Sequence, residues 1–204
     1  MQVENNKEGV PFEYYLGLYE KLDPQEVCAR TGAAFDGEAF TLTLVNAQYR
    51  LTWPNYTITA DREDAFALKS LSGQTFLLRW LLEGKQMSAK GQFKTFREMP
   101  WGELYIQPFT GRCLTRAAFT FGTRVAKFAA AMEKLGAKKL SHGDAGYELE
   151  LMPGYAMQMI VWEGDDEFPP NSQILYSDNF EESFSAEDRV VSGDILITVV
   201  KSNM

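Results

Sequence analysis

Between residues 147 and 162 the chain alternates apolar and polar side chains on either side of a Pro-Gly pair, and this segment limits the fold more than any other. Tyr147, Leu149 and Leu151 alternate with Glu148 and Glu150, and Met157, Met159 and Val161 share one side of the return run Tyr155 to Trp162. A period of two sets one face on a core and the other in water. Pro153-Gly154 are the natural central residues of a type II turn. The segment predicts an antiparallel hairpin with the loop 163–170 (Glu-Gly-Asp-Asp-Glu-Phe-Pro-Pro) at its open end, which excludes an all-helical fold.

The flanking sequence supplies helices and a second group of strands. Tyr14, Tyr15, Leu18, Tyr19 and Leu22 recur at helical spacing and predict a helix over 12–22. Asp23-Pro24-Gln25-Glu26 gives a cap, a first-turn proline and an acid for a second helix that stops at Gly32. Phe40, Leu42 and Leu44, then Tyr49, Leu51 and Trp53, alternate as two antiparallel strands around Asn46, with a third near Tyr56–Ile58. Residues 62–72 stay open because Gly73 interrupts the helical pattern, so a helix is expected only over Gln74–Glu83. The stretch Gln92–Thr110 reads as irregular to extended, with Pro100-Trp101-Gly102 as a turn. Helices are expected over Arg112–Phe121 and from Val125 to a stop at Gly136. Ser185-Ala186-Glu187-Asp188 caps a last helix, although the β-branched run Asp194–Val200 leaves a strand open there. The expectation is one α+β domain over 1–204: antiparallel sheet, made of a meander and a C-terminal hairpin, packed with helices.

Charge and cysteine usage narrow the function classes. The net charge of −8 is uneven: residues 1–141 carry 18 Lys plus Arg and 15 Asp plus Glu, whereas residues 142–204 carry 2 and 13. A surface that acidic repels phosphate backbones, so no nucleic-acid partner is expected, although Lys85, Lys90, Lys94 and Arg97 give the front part a local basic patch. No stretch approaches the roughly 18 apolar residues of a membrane span, and the first residues lack a signal-peptide pattern. The chain reads as cytoplasmic with both thiols reduced. Cys28 and Cys113 form no C-x-x-C pair, and His142 is the single histidine, so the chain alone offers neither a zinc ribbon nor a two-histidine metal site. No P-loop and no G-x-G-x-x-G is present.

Three segments together resemble a known family. They are Phe93-Lys94-Thr95-Phe96-Arg97-Glu98-Met99-Pro100-Trp101-Gly102-Glu103-Leu104-Tyr105, continued through Phe109 and Arg112; Tyr147 through Trp162 to Pro169; and Ile174-Leu175-Tyr176 with Asp178 and Phe184 through Asp188. In order and spacing they resemble the "domain of unknown function 3786" family over nearly the whole chain. Longer members of that family are fused to cysteine-rich iron–sulfur domains of the kind found beside corrinoid proteins. The resemblance thus implies a place near anaerobic one-carbon or electron-transfer metabolism, with an iron–sulfur or corrinoid protein as partner. It implies no reaction, because the family's role is not established.

Two constellations can carry chemistry. Arg97 and Glu98 with Trp101, Tyr105 and Trp162 form a candidate ligand-binding set, because a guanidinium clamps carboxylate or phosphate while rings stack on a flat ligand. The alternative is an Arg97 that pairs with the acidic loop and ties two chain regions together. Asp165, Asp166 and Glu167, with Asp178, are the candidate ligands for a hard divalent cation, which prefers oxygen donors. The same acids also read as a solvated hairpin end. The leading expectation is a non-catalytic accessory or ligand- or protein-binding domain. Alternatives are a carboxylate-based, divalent-cation-dependent enzyme acting on a small anionic substrate, and an oligomerising protein with an exposed aromatic patch.

Overall fold

The structure, a computed structural model, describes residues 6–204, with side chains from Glu8 onward. The chain forms an α+β fold that divides into two compact units, residues 1–86 and 87–204.

In the first unit, helix α1 (Asn6–Tyr19) and helix α2 (Pro24–Thr31) precede the strands β1 (Ala34–Phe35), β2 (Ala39–Leu44), β3 (Ala47–Thr52) and β4 (Ile58–Ala60), and helix α3 (Leu71–Glu83) follows them. The strands form an antiparallel meander in the order β1-β2-β3-β4. Helix α2 has the ends its sequence announces: the Asp23 carboxylate accepts from the Gln25 N–H at 2.9 Å, and Gly32 closes the helix at φ 70°. Helix α1 lies earlier than expected, from Asn6 through Pro11 to Tyr19 rather than 12–22. Its last residue is tied to the sheet, because the buried Tyr19 hydroxyl donates to the Leu51 and Thr52 carbonyls at 3.2 and 3.0 Å. Helix α3 starts three residues before Gln74 and runs through Gly73. A Cβ at that position would stand 2.8 Å from the Phe66 ring, so the glycine allows a close approach instead of ending the helix.

In the second unit, strand β5 (Phe93–Thr95) leads through a single 3₁₀ turn (Phe96–Glu98) into helix α4 (Gly102–Phe109), a π-helical turn (Thr110–Thr115), helix α5 (Arg116–Phe121) and helix α6 (Val125–Lys134). Strands β6 (Lys138–Leu140), β7 (Ala145–Met152), β8 (Tyr155–Trp162) and β9 (Asn171–Ser177), the short helix α7 (Phe180–Ser183) and helix α8 (Ala186–Ser202) complete it. All neighbours in its five-stranded sheet, β5-β9-β8-β7-β6, are antiparallel. The hairpin β7–β8 forms in the expected register, Tyr147 opposite Met159 and Leu149 opposite Met157, with Gly154 at φ 84° in the turn.

Two expectations change here. The stretch 92–110 is not extended throughout, since Leu104, Tyr105 and Ile106 lie in α4. Gly102 starts that helix in contact with the Phe96 carbonyl, where a Cβ would come within 2.2 Å. The run 194–200 is helical despite its β-branched residues. Val190, Ile195, Leu196, Ile197 and Val200 are all buried in α8, and packing on several sides outweighs the small helix-propensity penalty of Val and Ile.

Candidate functional site

Strand β5 is the edge of the sheet beside β9, with Thr95 opposite Leu175, and the 3₁₀ turn carries Arg97 off that edge. The turn is fastened by a reciprocal cap, in which one Glu98 carboxylate oxygen accepts from both the Thr95 N–H and the Thr95 hydroxyl at 2.7 Å. These bonds hold the Glu98 carboxyl below the usual range. Glu98 is thereby committed to the turn, while Arg97 is left exposed. The Arg97 Nε pairs with Glu103 at 3.3 Å, six residues along the chain, and not with the acidic loop.

Beside the turn, Trp101 sits in the left-handed region at φ 63° and is 70% exposed. Its neighbours fix this geometry. The Gly102 N–H donates to the Met99 carbonyl at 2.9 Å, and the Arg189 guanidinium donates through Nη2 to the Pro100 carbonyl. Leu104 and Tyr105 lie three and four residues after Trp101, on the same side of α4. They are 71% and 40% exposed, which gives that helix an outward apolar face.

On the other side of α4 a groove of about 290 Å³ opens. Its floor lies over the stacked pair Phe96 and Phe109, with ring centroids 4.2 Å apart and planes at 7°, each residue only 1% exposed. Thr95, Arg97, Ile106, Thr110, Leu114 and Gln173 form the walls. Thr110 and Leu114 come from the π-helical turn, whose i→i+5 bonding widens the helix where it meets the groove; such turns concentrate at functional sites. Behind the floor lies Arg189, 1% exposed, with its guanidinium 5.8 Å from the Phe96 ring centroid. It donates to the carbonyls of Phe184 and Pro100, forms no ion pair among the described residues, and leaves its Nε without a hydrogen-bond partner. Desolvation lowers its pKa.

The acidic residues occupy separate places. Asp165 accepts from the Glu167 and Phe168 N–H groups at 2.9 and 2.7 Å, which fastens the loop and holds its own carboxyl low. Asp166 and Glu167 face solvent at the same loop. Asp178 lies beyond the other end of the seven-residue strand β9, roughly 23 Å away at about 3.3 Å per residue. Its buried carboxylate accepts from the Lys90 and Gln92 N–H groups at 2.8 and 3.2 Å. The four acids therefore do not converge, and no group of three or more His, Cys, Asp or Glu among the described residues is placed to hold a metal. Trp162 ends β8, two strands away from β5, and takes no part in the groove walls. Cys113 is buried, with its thiol pushed up to about 12 by desolvation. His142 lies in an exposed bend before β7.

The sequence matches the family model described as "Domain of unknown function (DUF3786)" over residues 23–199. The chain belongs to that family. The DUF3786 match runs from the cap of α2 into α8 and includes Arg97, Trp101, Tyr105, Asp178 and Arg189. No curated protein and no solved structure matches this DUF3786 chain. Among the described residues no helix is long and apolar enough to cross a membrane. Arg189, the π-helical turn and Gln173 went unread as site features. One signal pointed to Arg189: it is one of only two basic residues after position 141.

Proposed function

We propose that this DUF3786 chain is a non-catalytic accessory domain that docks on a partner protein through the outward face of α4. One observation carries the reading: Trp101 is held in a left-handed conformation and turned to solvent beside Leu104 and Tyr105. A non-glycine residue there costs about 1–2 kcal/mol, and strain of this kind gathers at functional positions. Trp, Tyr and Arg are the residues that dominate binding energy at protein interfaces, and Arg97 flanks this face. The partner class is the one the family resemblance implies, an iron–sulfur or corrinoid protein in anaerobic metabolism.

Photo-crosslinking in anaerobically grown cells tests the proposal. A benzoylphenylalanine in place of Tyr105 should form an adduct with an iron–sulfur or corrinoid protein, and the pair Trp101→Ala and Leu104→Ser should abolish it. The same crosslinker in place of Phe119, which is also exposed but lies on α5, should give none. Adducts from position 119 and not from position 105 would remove α4 as the docking face.

A further inference from the structure

We propose that the loop joining β8 to β9 docks an arginine-rich segment of a partner protein, with guanidinium groups stacked on Phe168 and Trp162 and paired with Glu163, Asp166 and Glu167. The surface is separate from the exposed face of Trp101, Leu104 and Tyr105 and does not depend on docking there.

The loop displays two rings that the fold does not bury. Phe168 is 67% exposed and Trp162 38%, and they stand at either end of the run 163–167, which holds four acids. Slack chain does not put them there. The Asp165 N–H donates to the Phe168 carbonyl at 2.9 Å, and the Asp165 carboxylate accepts from the Phe168 N–H at 2.7 Å, so the backbone of Phe168 is fastened through both its polar groups. Trp162 is the last residue of β8 and lies opposite Asn171. The Gly164 N–H donates to the Gly122 carbonyl at 3.3 Å, and a Cβ on either glycine would stand within 2.6 Å of Pro170, so the base of the loop packs on the end of α5. Aromatic side chains are enriched at protein interfaces, and a backbone already ordered has less freedom to lose when a partner binds.

The charges choose the partner. Asp165 is spent on the turn, whereas the carboxylates of Glu163, Asp166 and Glu167 make no hydrogen bond or ion pair among the described residues. Asp144, which accepts from the Glu163 N–H at 2.7 Å, adds a further acid at this end of the sheet. Arg124, two residues beyond Gly122, donates to the Thr120 carbonyl at 3.0 Å and pairs with none of these acids, so the surface stays negative. A metal ion needs carboxylates that converge, and no group of three among the described residues does so. Side-chain cations need no such convergence. A lysine offers a hydrated point charge, but a guanidinium both stacks on a ring face and pairs with a carboxylate through its planar fork. Exposed rings beside unpaired acids therefore suit arginine, and the same acids repel nucleic acid.

Titrations of the full chain, followed by two-dimensional amide NMR at roughly 50 mM salt, test the proposal with octa-arginine, octalysine and octaglutamate as probes. Octa-arginine should give saturable shifts concentrated at residues 162–168. Octalysine carries the same charge and should bind about threefold or more weakly, since an ammonium stacks less well on a ring. Octaglutamate should not bind. Phe168→Ala, at an exposed position, should keep the native spectrum and remove most of the preference for arginine. Asp166→Asn with Glu167→Gln should weaken both cationic peptides. Glu20→Gln with Glu63→Gln removes the same charge from exposed positions of the first unit and should change little. The proposal is overturned if octa-arginine gives no saturable shift or shifts centred outside the loop, if octalysine binds equally well, or if octaglutamate binds the loop. It is also overturned if Phe168→Ala keeps the preference, or if the two pairs of acid variants lose affinity alike.

Discussion

Replacing Asp178 by Ala separates the two roles its carboxylate can be given. Its two oxygens accept from the Lys90 and Gln92 N–H groups at 2.8 and 3.2 Å, and the residue is 7% exposed. Hydrogen bonds to a charged group contribute about 1.5–3 kcal/mol each, so the pair has a ceiling of about 3–6 kcal/mol. Lys90 lies at the surface and its N–H can recruit water in the variant, which brings the expected loss to about 3 kcal/mol. For a chain of this size that lowers Tm by about 6–12 °C. Asp178→Asn retains one acceptor oxygen and should lose about half as much. The assay is urea and thermal unfolding followed by circular dichroism, with and without EDTA and with added Mg²⁺. The loss should be the same in every buffer, and EDTA should not shift the wild type. A variant that melts within about 2 °C of wild type, or a wild type that EDTA destabilises to the level of Asp178→Ala, would refute the structural assignment.

Further outcomes follow from the same geometry. Gly102→Ala should destabilise the fold by about 2–3 kcal/mol, because its Cβ would stand 2.2 Å from the Phe96 carbonyl oxygen; an unchanged urea midpoint would show that the 3₁₀ turn gives way freely. Burial raises the Cys113 thiol to about 12 and also raises the tyrosine hydroxyls of Tyr19 and Tyr176. A raised folded-state pKa means that the stability is fully present below the unfolded thiol value of about 8.5 and is lost as pH climbs towards 12. Urea midpoints should hold to about pH 8.5 and fall steadily above it, and Cys113 should react with thiol reagents at pH 8 only after unfolding; reaction of the native protein at the rate of a free thiol would contradict this. The reading of residues 1–204 as one domain predicts a single calorimetric transition with equal calorimetric and van't Hoff enthalpies, and two resolved transitions would overturn it.

Features set by neighbours in the chain were legible in the sequence. The β7–β8 hairpin follows from alternation around Pro153-Gly154, and α2 follows from its cap and its closing glycine. Readings failed where a close approach or burial, and not a periodic pattern, decides. Gly73 and Gly102 have a close neighbour in the short turn that precedes each helix, the Phe66 ring and the Phe96 carbonyl, and neither hydrophobic period nor propensity announces how near such a turn folds back. The run 194–200 carries strand-forming residues, yet burial on several sides keeps it helical. The site divides along the same line. Arg97 could be picked out as a cation among aromatics, and the structure places it at a groove. The dispersal of the four acids depends on β9 spanning the distance between loop and Asp178. Arg189, at 1% exposed, runs against the tendency of arginines to stay near water.

Both sheets taper at their edges. The five-stranded sheet has strands of seven and eight residues at its centre, but each margin, β5 and β6, is only three residues long. Lysines stand on both margins, Lys94 on one and Lys138 with Lys139 on the other. The four-stranded sheet ends likewise in strands of two and three residues. An incoming strand from another molecule would find few free backbone groups in a row to pair with, and on the larger sheet it would meet ammonium groups as it approached. The folded chain is thus poorly templated for edge-to-edge association into fibrils, even though the central strands Tyr147–Met152 and Tyr155–Trp162 are rich in the residues that favour it.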